Sequence, residues 1–261
     1  MIPARKQRVF NAWFAGHARS RIQRTFERLR VHGLARTRVL SARAPLLVVS
    51  NHTSWWDPLV ALYAAQHLLG GDGYALMDAA NLRKLPFFAL VGAFGVELGS
   101  PADGAGAIRY AARLLDRAGR LVWVFPQGEE RPITERPLAF KAGSAEIARV
   151  ARRAVTVPVG LRYEHAGTEK PDLYLSFGES VAAERDPARG REAQERAVEG
   201  ELARIERAVR GEAGAGFEEV FRAEPGTDGL ASKALAMLTA AAIGEPTVTP
   251  PPPAAARRAR W

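Results

Sequence analysis

The stretch Pro45-Leu-Leu-Val-Val-Ser-Asn-His-Thr-Ser-Trp-Trp-Asp-Pro58 joins a short run of branched apolar residues to a polar loop. The run carries no charge and is closed by polar residues, the pattern of a strand buried on both faces of a sheet. A helix is expected to follow it through Tyr63 to Leu69. Further runs of this kind lie at Tyr74 to Met77, Leu121 to Phe125, Val155 to Gly160 and Leu173 to Phe177, and helical stretches such as Ala105 to Ala118 and Ser144 to Arg153 separate them. Such alternation predicts an α/β fold, with a mixed, mostly parallel central sheet flanked by helices.

Outward from this core, residues 1–40 read as a basic, amphipathic N-terminal helical segment, 41–244 as one catalytic-sized domain and 245–261 as a disordered, Pro-rich basic tail. Within residues 1–38, arginines alternate with Val9, Phe10, Trp13, Phe14, Ile22, Phe26, Leu29 and Val31, a spacing that suits a helix or a helical pair. Such a segment either lies in a lipid headgroup layer or packs on its own domain. After Asp186 the sequence turns helical and charged, with Glu192 to Arg210 at helical spacing and an Ala-rich helix expected from Gly229 to about Ile243.

The chain has 261 residues, 37 Lys and Arg against 28 Asp and Glu, a net charge of +9 and no cysteine. Disulfides, Cys-ligated metal and thiol catalysis are thereby excluded. The positive balance favours polyanions such as anionic headgroups, CoA or nucleic acid without choosing among them. No recognisable nucleic-acid module accompanies the arginines, so nucleic acid is not expected as a partner. No apolar run reaches the roughly 20 residues of a spanning helix. With no secretory signal either, the expected location is cytoplasmic and peripheral, on the inner face of the cell membrane.

The chemistry is concentrated after the first buried run. In an α/β sheet the loop leaving a strand's carboxyl end faces the ligand crevice, so His52 stands at the mouth of a site. A neutral imidazole there can take a proton from an alcohol if a partner fixes its tautomer, and Asp57, five residues on, can fold back to do so. Ser54-Trp-Trp-Asp57 also resembles a capping box with Ser54 as N-cap, and on that reading Asp57 only favours a helix start. Local spacing leaves both open. Trp55 and Trp56 fit either a substrate pocket or the core. His17, His32, His67 and His165 lack ligand spacing, so no metal is expected.

A second segment, Leu121-Val-Trp-Val-Phe-Pro-Gln-Gly-Glu-Glu-Arg-Pro132, is again a buried run entering a Pro and Gly turn. Taken together, Asn51-His52-Thr-Ser-Trp-Trp-Asp57 resembles the NHxSxxD block of the glycerolipid acyltransferase superfamily, and Phe125-Pro126-Gln127-Gly128 resembles its FPEG block. Phe140-Lys141-Ala-Gly143 and Val157-Pro158-Val159 follow in the family's order, so the likeness extends over about Pro45 to Gly160.

That resemblance implies the glycerolipid acyltransferase fold and O-acyl transfer from acyl-CoA or acyl-ACP to a lipid hydroxyl, without a cofactor, metal or acyl-enzyme. His52 and Asp57 are the implied catalytic pair. Asn51, Ser54, Trp55, Phe125, Pro126, Gln127, Gly128, Arg131 and Lys141 are the implied substrate-binding residues, with oxyanion donors near Gly128. The implied partners are an anionic membrane surface, acyl-CoA or acyl carrier protein, and a lysophospholipid, glycolipid or glycosylated terpenoid acceptor.

Two departures stand out. Gln127 replaces the family's Glu, and Glu129-Glu130-Arg131 stands where Thr-Arg-Ser is usual. An acceptor phosphate needs a charge-assisted partner and acids beside it are unfavourable, so an acceptor less anionic than lysophosphatidic acid is expected. The same departures keep a non-catalytic, lipid-binding relative of the fold as the alternative.

Overall fold

The computed structural model describes residues 1–212, 214 and 216–223. Helix α1 (Arg8–Thr25) leads into strand β1 (Arg28–His32), helix α2 (Leu34–Arg43) and strand β2 (Leu46–Ser50). Helix α3 (Asp57–Tyr63) continues as a π turn (Ala64–Leu68) into β3 (Asp72–Asp78), α4 (Ala79–Lys84), a 3-10 turn (Pro86–Val91) and β4 (Ala93–Val96). Then come α5 (Pro101–Leu114), β5 (Arg120–Val124), α6 (Gly143–Val150), β6 (Val155–Glu164), β7 (Asp172–Phe177), α7 (Pro187–Val209) and β8 (Glu218–Arg222).

The eight strands among the described residues form one sheet in the order β4-β3-β5-β2-β6-β7-β1-β8. The first five are mutually parallel. β7 runs antiparallel to β6, β1 runs parallel to β7, and β8 is antiparallel to β1. The expected α/β class with a mostly parallel sheet is therefore the observed one.

All five residues of β2 are buried, and their alternation explains the uninterrupted apolar run. Leu46 and Val48 face a core shared with Ile22, Val60 and Trp123 on the α1 and α3 side. Leu47 and Val49 face Ala111, Ile147 and Val198, brought by α5, α6 and α7 on the other side. Fully burying side chains of this size is worth about 1.5–3 kcal/mol each, so β2 is fixed from both faces.

The connection from β2 travels to β3 across β5, whereas the connection from β5 travels to β6 across β2. Their loops therefore part in opposite directions at the carboxyl ends of two adjacent strands, the switch point where α/β sheets open a crevice. The loops starting at Asn51 and Phe125 leave from this point.

The N-terminal segment differs from the helix or helical pair expected over residues 1–38. Arg28–His32 is a strand whose Leu29 and Val31 point into the core, and it pairs with β7, far along the chain. The apolar stripe on α1 divides accordingly. Ala15, Ala18 and Ile22 pack on the domain, while Val9 and Trp13 are 86% and 63% exposed. Ahead of α1, Ile2 bridges to Gly95, and the Lys6 ammonium bonds the Asp72 carboxylate at 2.6 Å. β6 also continues to Glu164, four residues beyond the expected end at Gly160. The Ala-rich helix and Pro-rich tail expected after Gly229 lie outside the described residues, and no helix among the described ones is long and apolar enough to cross a membrane.

Candidate active site

At the end of β2 the chain turns sharply before α3, and Asp57, the first residue of α3, points back into the turn. His52 Nδ1 lies 2.7 Å from Asp57 Oδ2. The same oxygen accepts the backbone N–H groups of Thr53 at 2.7 Å and Ser54 at 3.0 Å. Asp57 Oδ1 accepts the Tyr163 hydroxyl at 2.6 Å. Because the other partners of Oδ2 are donors only, His52 Nδ1 is the protonated ring nitrogen, and Nε2 holds the free lone pair a base requires.

The two readings of Asp57 left open by its spacing are thus one arrangement: the carboxylate closes the turn through Thr53 and Ser54 and orients His52 through the same oxygen. Ser54 does not act as the expected N-cap of the helix. Its Oγ accepts the Trp56 N–H at 3.2 Å, two residues on, and its carbonyl accepts the Asp57 N–H. The carboxylate half of the expected capping box is present, since Asp57 accepts the Ser54 N–H, and the hydroxyl half is missing because Ser54 Oγ takes the Trp56 N–H instead.

Asp57 is fully buried and the His52 side chain is 17% exposed. Phe125 covers the imidazole, with ring centroids 4.6 Å apart and planes 28° from parallel. Gln127 is buried beside them and its Oε1 accepts the His52 N–H at 2.6 Å. The Arg131 N–H bonds the His52 carbonyl at 2.9 Å, so the β5 loop holds the β2 loop on both sides of the histidine. Burial, with the Asp57 charge next, pushes the Tyr163 phenol well above its ordinary range, so it stays a donor.

Several implied substrate contacts have other occupations. Asn51 is fully buried and bridges β2 to β6: its Nδ2 donates to the Leu161 carbonyl and its Oδ1 accepts the Leu161 N–H, both at 2.9 Å. Gln127 meets the histidine backbone rather than an open acceptor site. Arg131 is held by Glu129 at 2.7 Å and Glu135 at 2.8 Å, so its guanidinium is already neutralised. The Gly128 N–H closes its own turn onto the Phe125 carbonyl at 3.0 Å, and the Pro126 carbonyl accepts the Lys141 N–H at 2.9 Å. Gly128 has φ +76°, a conformation that favours glycine, and the Lys141 side chain crosses over it. Trp55 is 55% exposed beside Trp56, and Arg21 lies over both indoles. Trp56 instead packs edge-on against Phe26.

Tyr163 is the residue that sequence reading missed. Its signal was present, because Val157, Val159, Leu161 and Tyr163 continue one period-2 face past Gly160.

Two spaces lie near the pair, lined by its neighbours rather than by His52 or Asp57 themselves. An apolar cavity begins at Pro58 and Trp123 and runs between α3 and β3 past Leu62, Met77 and Phe88. A separate open cleft of about 330 Å³ lies between Thr53, Ser54, Tyr163 and the end of α1.

A family model described as Acyltransferase matches residues 28–162, more than half of the chain. The match opens at the first residue of β1 and includes the loops that follow β2 and β5. No curated protein matches the chain. Among solved structures it is similar to the 1-acyl-sn-glycerophosphate (LPA) acyltransferase PlsC from Thermotoga maritima, with a TM-score of 0.51 and 19% identity, covering 75% of this chain and 79% of that one. At that identity the likeness concerns the fold. The chain therefore belongs to the acyltransferase family.

Proposed function

We propose that the chain moves a fatty acyl group from acyl-CoA or acyl-ACP onto a lipid hydroxyl at a membrane surface, with His52 as general base. The observation that carries this reading is the 2.7 Å contact from His52 Nδ1 to a fully buried Asp57 at the switch point of the sheet. It leaves Nε2 free to receive a proton.

The acceptor hydroxyl gives its proton to His52 Nε2 as its oxygen attacks the thioester carbonyl. The tetrahedral intermediate collapses by breaking the carbon–sulfur bond, and the imidazolium returns the proton to the departing thiolate. The products are an ester and a free thiol, with no covalent enzyme intermediate. Asp57 offsets the transient positive charge on the ring. The cavity from Pro58 and Trp123 to Phe88 has the apolar lining an acyl chain needs, and at about 40 Å³ it would have to widen to hold one. Lys141, exposed over Gly128, is a cation suited to the phosphates of the donor.

Support for membrane contact comes from α1. Val9 and Trp13 are exposed, Phe10, Trp13 and Phe14 form an aromatic group reaching Phe87 and Phe88, and exposed Arg5, Arg8 and Lys84 flank it. Aromatic residues beside basic ones suit an anionic interface.

The test is acyl-CoA and acyl-ACP turnover with a panel of lipid acceptors bearing free hydroxyls. Wild type should release thiol and form ester in equal amounts, and His52→Ala should lose about 10² to 10⁴ in rate. Equal turnover by the two proteins would remove His52 as the base. No turnover by wild type with any pairing would favour the non-catalytic, lipid-binding reading that Gln127 motivates.

A further inference from the structure

The cleft beside the His52–Asp57 pair shares no wall with the apolar cavity. Its walls include Thr25, Thr53 and Ser54 and the aromatic residues Phe26, Trp56 and Tyr163, the last with its hydroxyl taken by Asp57, and no charged side chain is among them. The Ser54 Oγ accepts from the Trp56 N–H, which leaves its own proton available to a ligand.

Several charged side chains around these walls are already engaged, and one is acidic. Arg131 is bound by Glu129 and Glu135, and Arg28 by the buried Asp172. Arg21 lies over the indoles of Trp55 and Trp56, 5.9 and 5.4 Å from their centres. Glu130 is close enough to Tyr163 to add to the rise of its pKa. A phosphate monoester brought here carries up to two negative charges, meets an acid, and finds no wall cation to form a charge-assisted hydrogen bond.

An uncharged sugar meets the opposite conditions. Its hydroxyls can exchange hydrogen bonds with threonine and serine hydroxyls, and its C–H faces can lie on aromatic rings. We propose that this cleft holds the acceptor of the transfer reaction and is selective for an uncharged, polyhydroxyl headgroup, such as the sugar of a glycolipid. The assignment rests on the acyl-transfer reading for its purpose, while its chemistry rests on the cleft alone.

The experiment reads binding rather than turnover. Octyl β-glucoside and 1-octanoyl lysophosphatidic acid, matched in tail length, are titrated below their micelle concentrations into the full chain while tryptophan fluorescence is followed. Two variants narrow the cleft from opposite sides, Thr25→Phe and Ile133→Trp, and circular dichroism checks that each is folded. The glucoside should bind at least about tenfold more tightly than the lysophosphatidate, and either folded variant should weaken the glucoside by about tenfold, a difference of about 1.4 kcal/mol. His52→Ala should bind it as wild type does.

Tighter binding of the lysophosphatidate, lost in Arg21→Gln, would assign the cleft to phosphate and overturn the proposal. Failure of the glucoside to bind, or unchanged binding in folded Thr25→Phe and Ile133→Trp, would overturn it as well. Because no turnover is needed, an absence of acyl transfer would remove the proposed reaction and leave this measurement standing.

Discussion

Replacing Asp57 by Asn separates the two things the carboxylate does, because the surroundings can accept the amide. Oδ2 takes hydrogen bonds from His52 Nδ1, Thr53 N–H and Ser54 N–H, whereas Oδ1 takes only the Tyr163 hydroxyl. With its oxygen at the Oδ2 position, an asparagine keeps all three of the first set. Its NH₂ then faces Tyr163, whose hydroxyl can rotate and accept. The loop should keep its shape, at a cost of about 1–3 kcal/mol from exchanging charged for neutral hydrogen bonds. What disappears is the negative charge beside the imidazolium that forms when His52 takes the acceptor's proton. For a pair about 4 Å apart at an effective dielectric constant of about 20, that attraction is about 4 kcal/mol. At 1.36 kcal/mol per decade, kcat should fall by about 10³. Initial-rate measurement of thiol release at saturating acyl-CoA gives the number, and thermal melting shows whether the fold remains. An Asp57→Asn protein that is folded and within tenfold of wild-type kcat would refute the argument that this carboxylate stabilises a transient cation.

Tyr163→Phe removes one donor from Asp57 while retaining the ring that stacks on Phe26, 5.3 Å away. Losing that donor loosens the carboxylate that orients His52, so kcat should fall by about tenfold with KM unchanged; an unchanged kcat would show that Tyr163 only fills space. The raised Tyr163 pKa also carries a sign for stability: above about pH 10 the unfolded phenol loses its proton while the buried one keeps it, so stability falls as pH rises. Urea midpoints at pH 9 and pH 11 should therefore differ less in Tyr163→Phe than in wild type. Asn51→Ala leaves the N–H and C=O of Leu161 without partners inside the sheet and should cost about 2–4 kcal/mol in urea unfolding; a loss below about 0.5 kcal/mol would contradict the bridging role. Trp13→Asp should weaken sedimentation with anionic vesicles by about tenfold and leave acyl transfer to a detergent-dispersed acceptor intact, and equal sedimentation by both proteins would remove α1 from the contact surface.

What could be read from the sequence was what neighbours along the chain decide. β2 and β5 declared themselves because both faces of each are covered, which demands unbroken apolar runs. The five-residue spacing of His52 and Asp57 left a capping role for Asp57 equally open, and only the family resemblance singled the two out as a pair. β1 was not legible, since Arg28-Leu-Arg-Val-His32 offers only two apolar positions inside an arginine-rich stretch. Its strand state is imposed by β7, whose residues lie about 140 positions away, and by Asp172, which pairs with Arg28 and approaches Arg30. Trp55 and Arg131 looked available because composition does not reveal that one projects outward and the other already has two acidic partners.

The remaining gap traces to one glycine. An apolar run seemed to end at Gly160, where the chain has no side chain for a different reason: α7 approaches so closely that a Cβ there would stand 2.9 Å from the Glu201 backbone. The strand continues because β7 pairs with it from Val159 to Glu164. Those added residues include Leu161, which Asn51 clamps, and Tyr163, which bonds Asp57. The turn holding His52 is thus tied at both ends to one strand that arrives more than a hundred residues later. A bulky substitution at Gly160 would press on α7 first, and through β6 it would reach the carboxylate that orients the base.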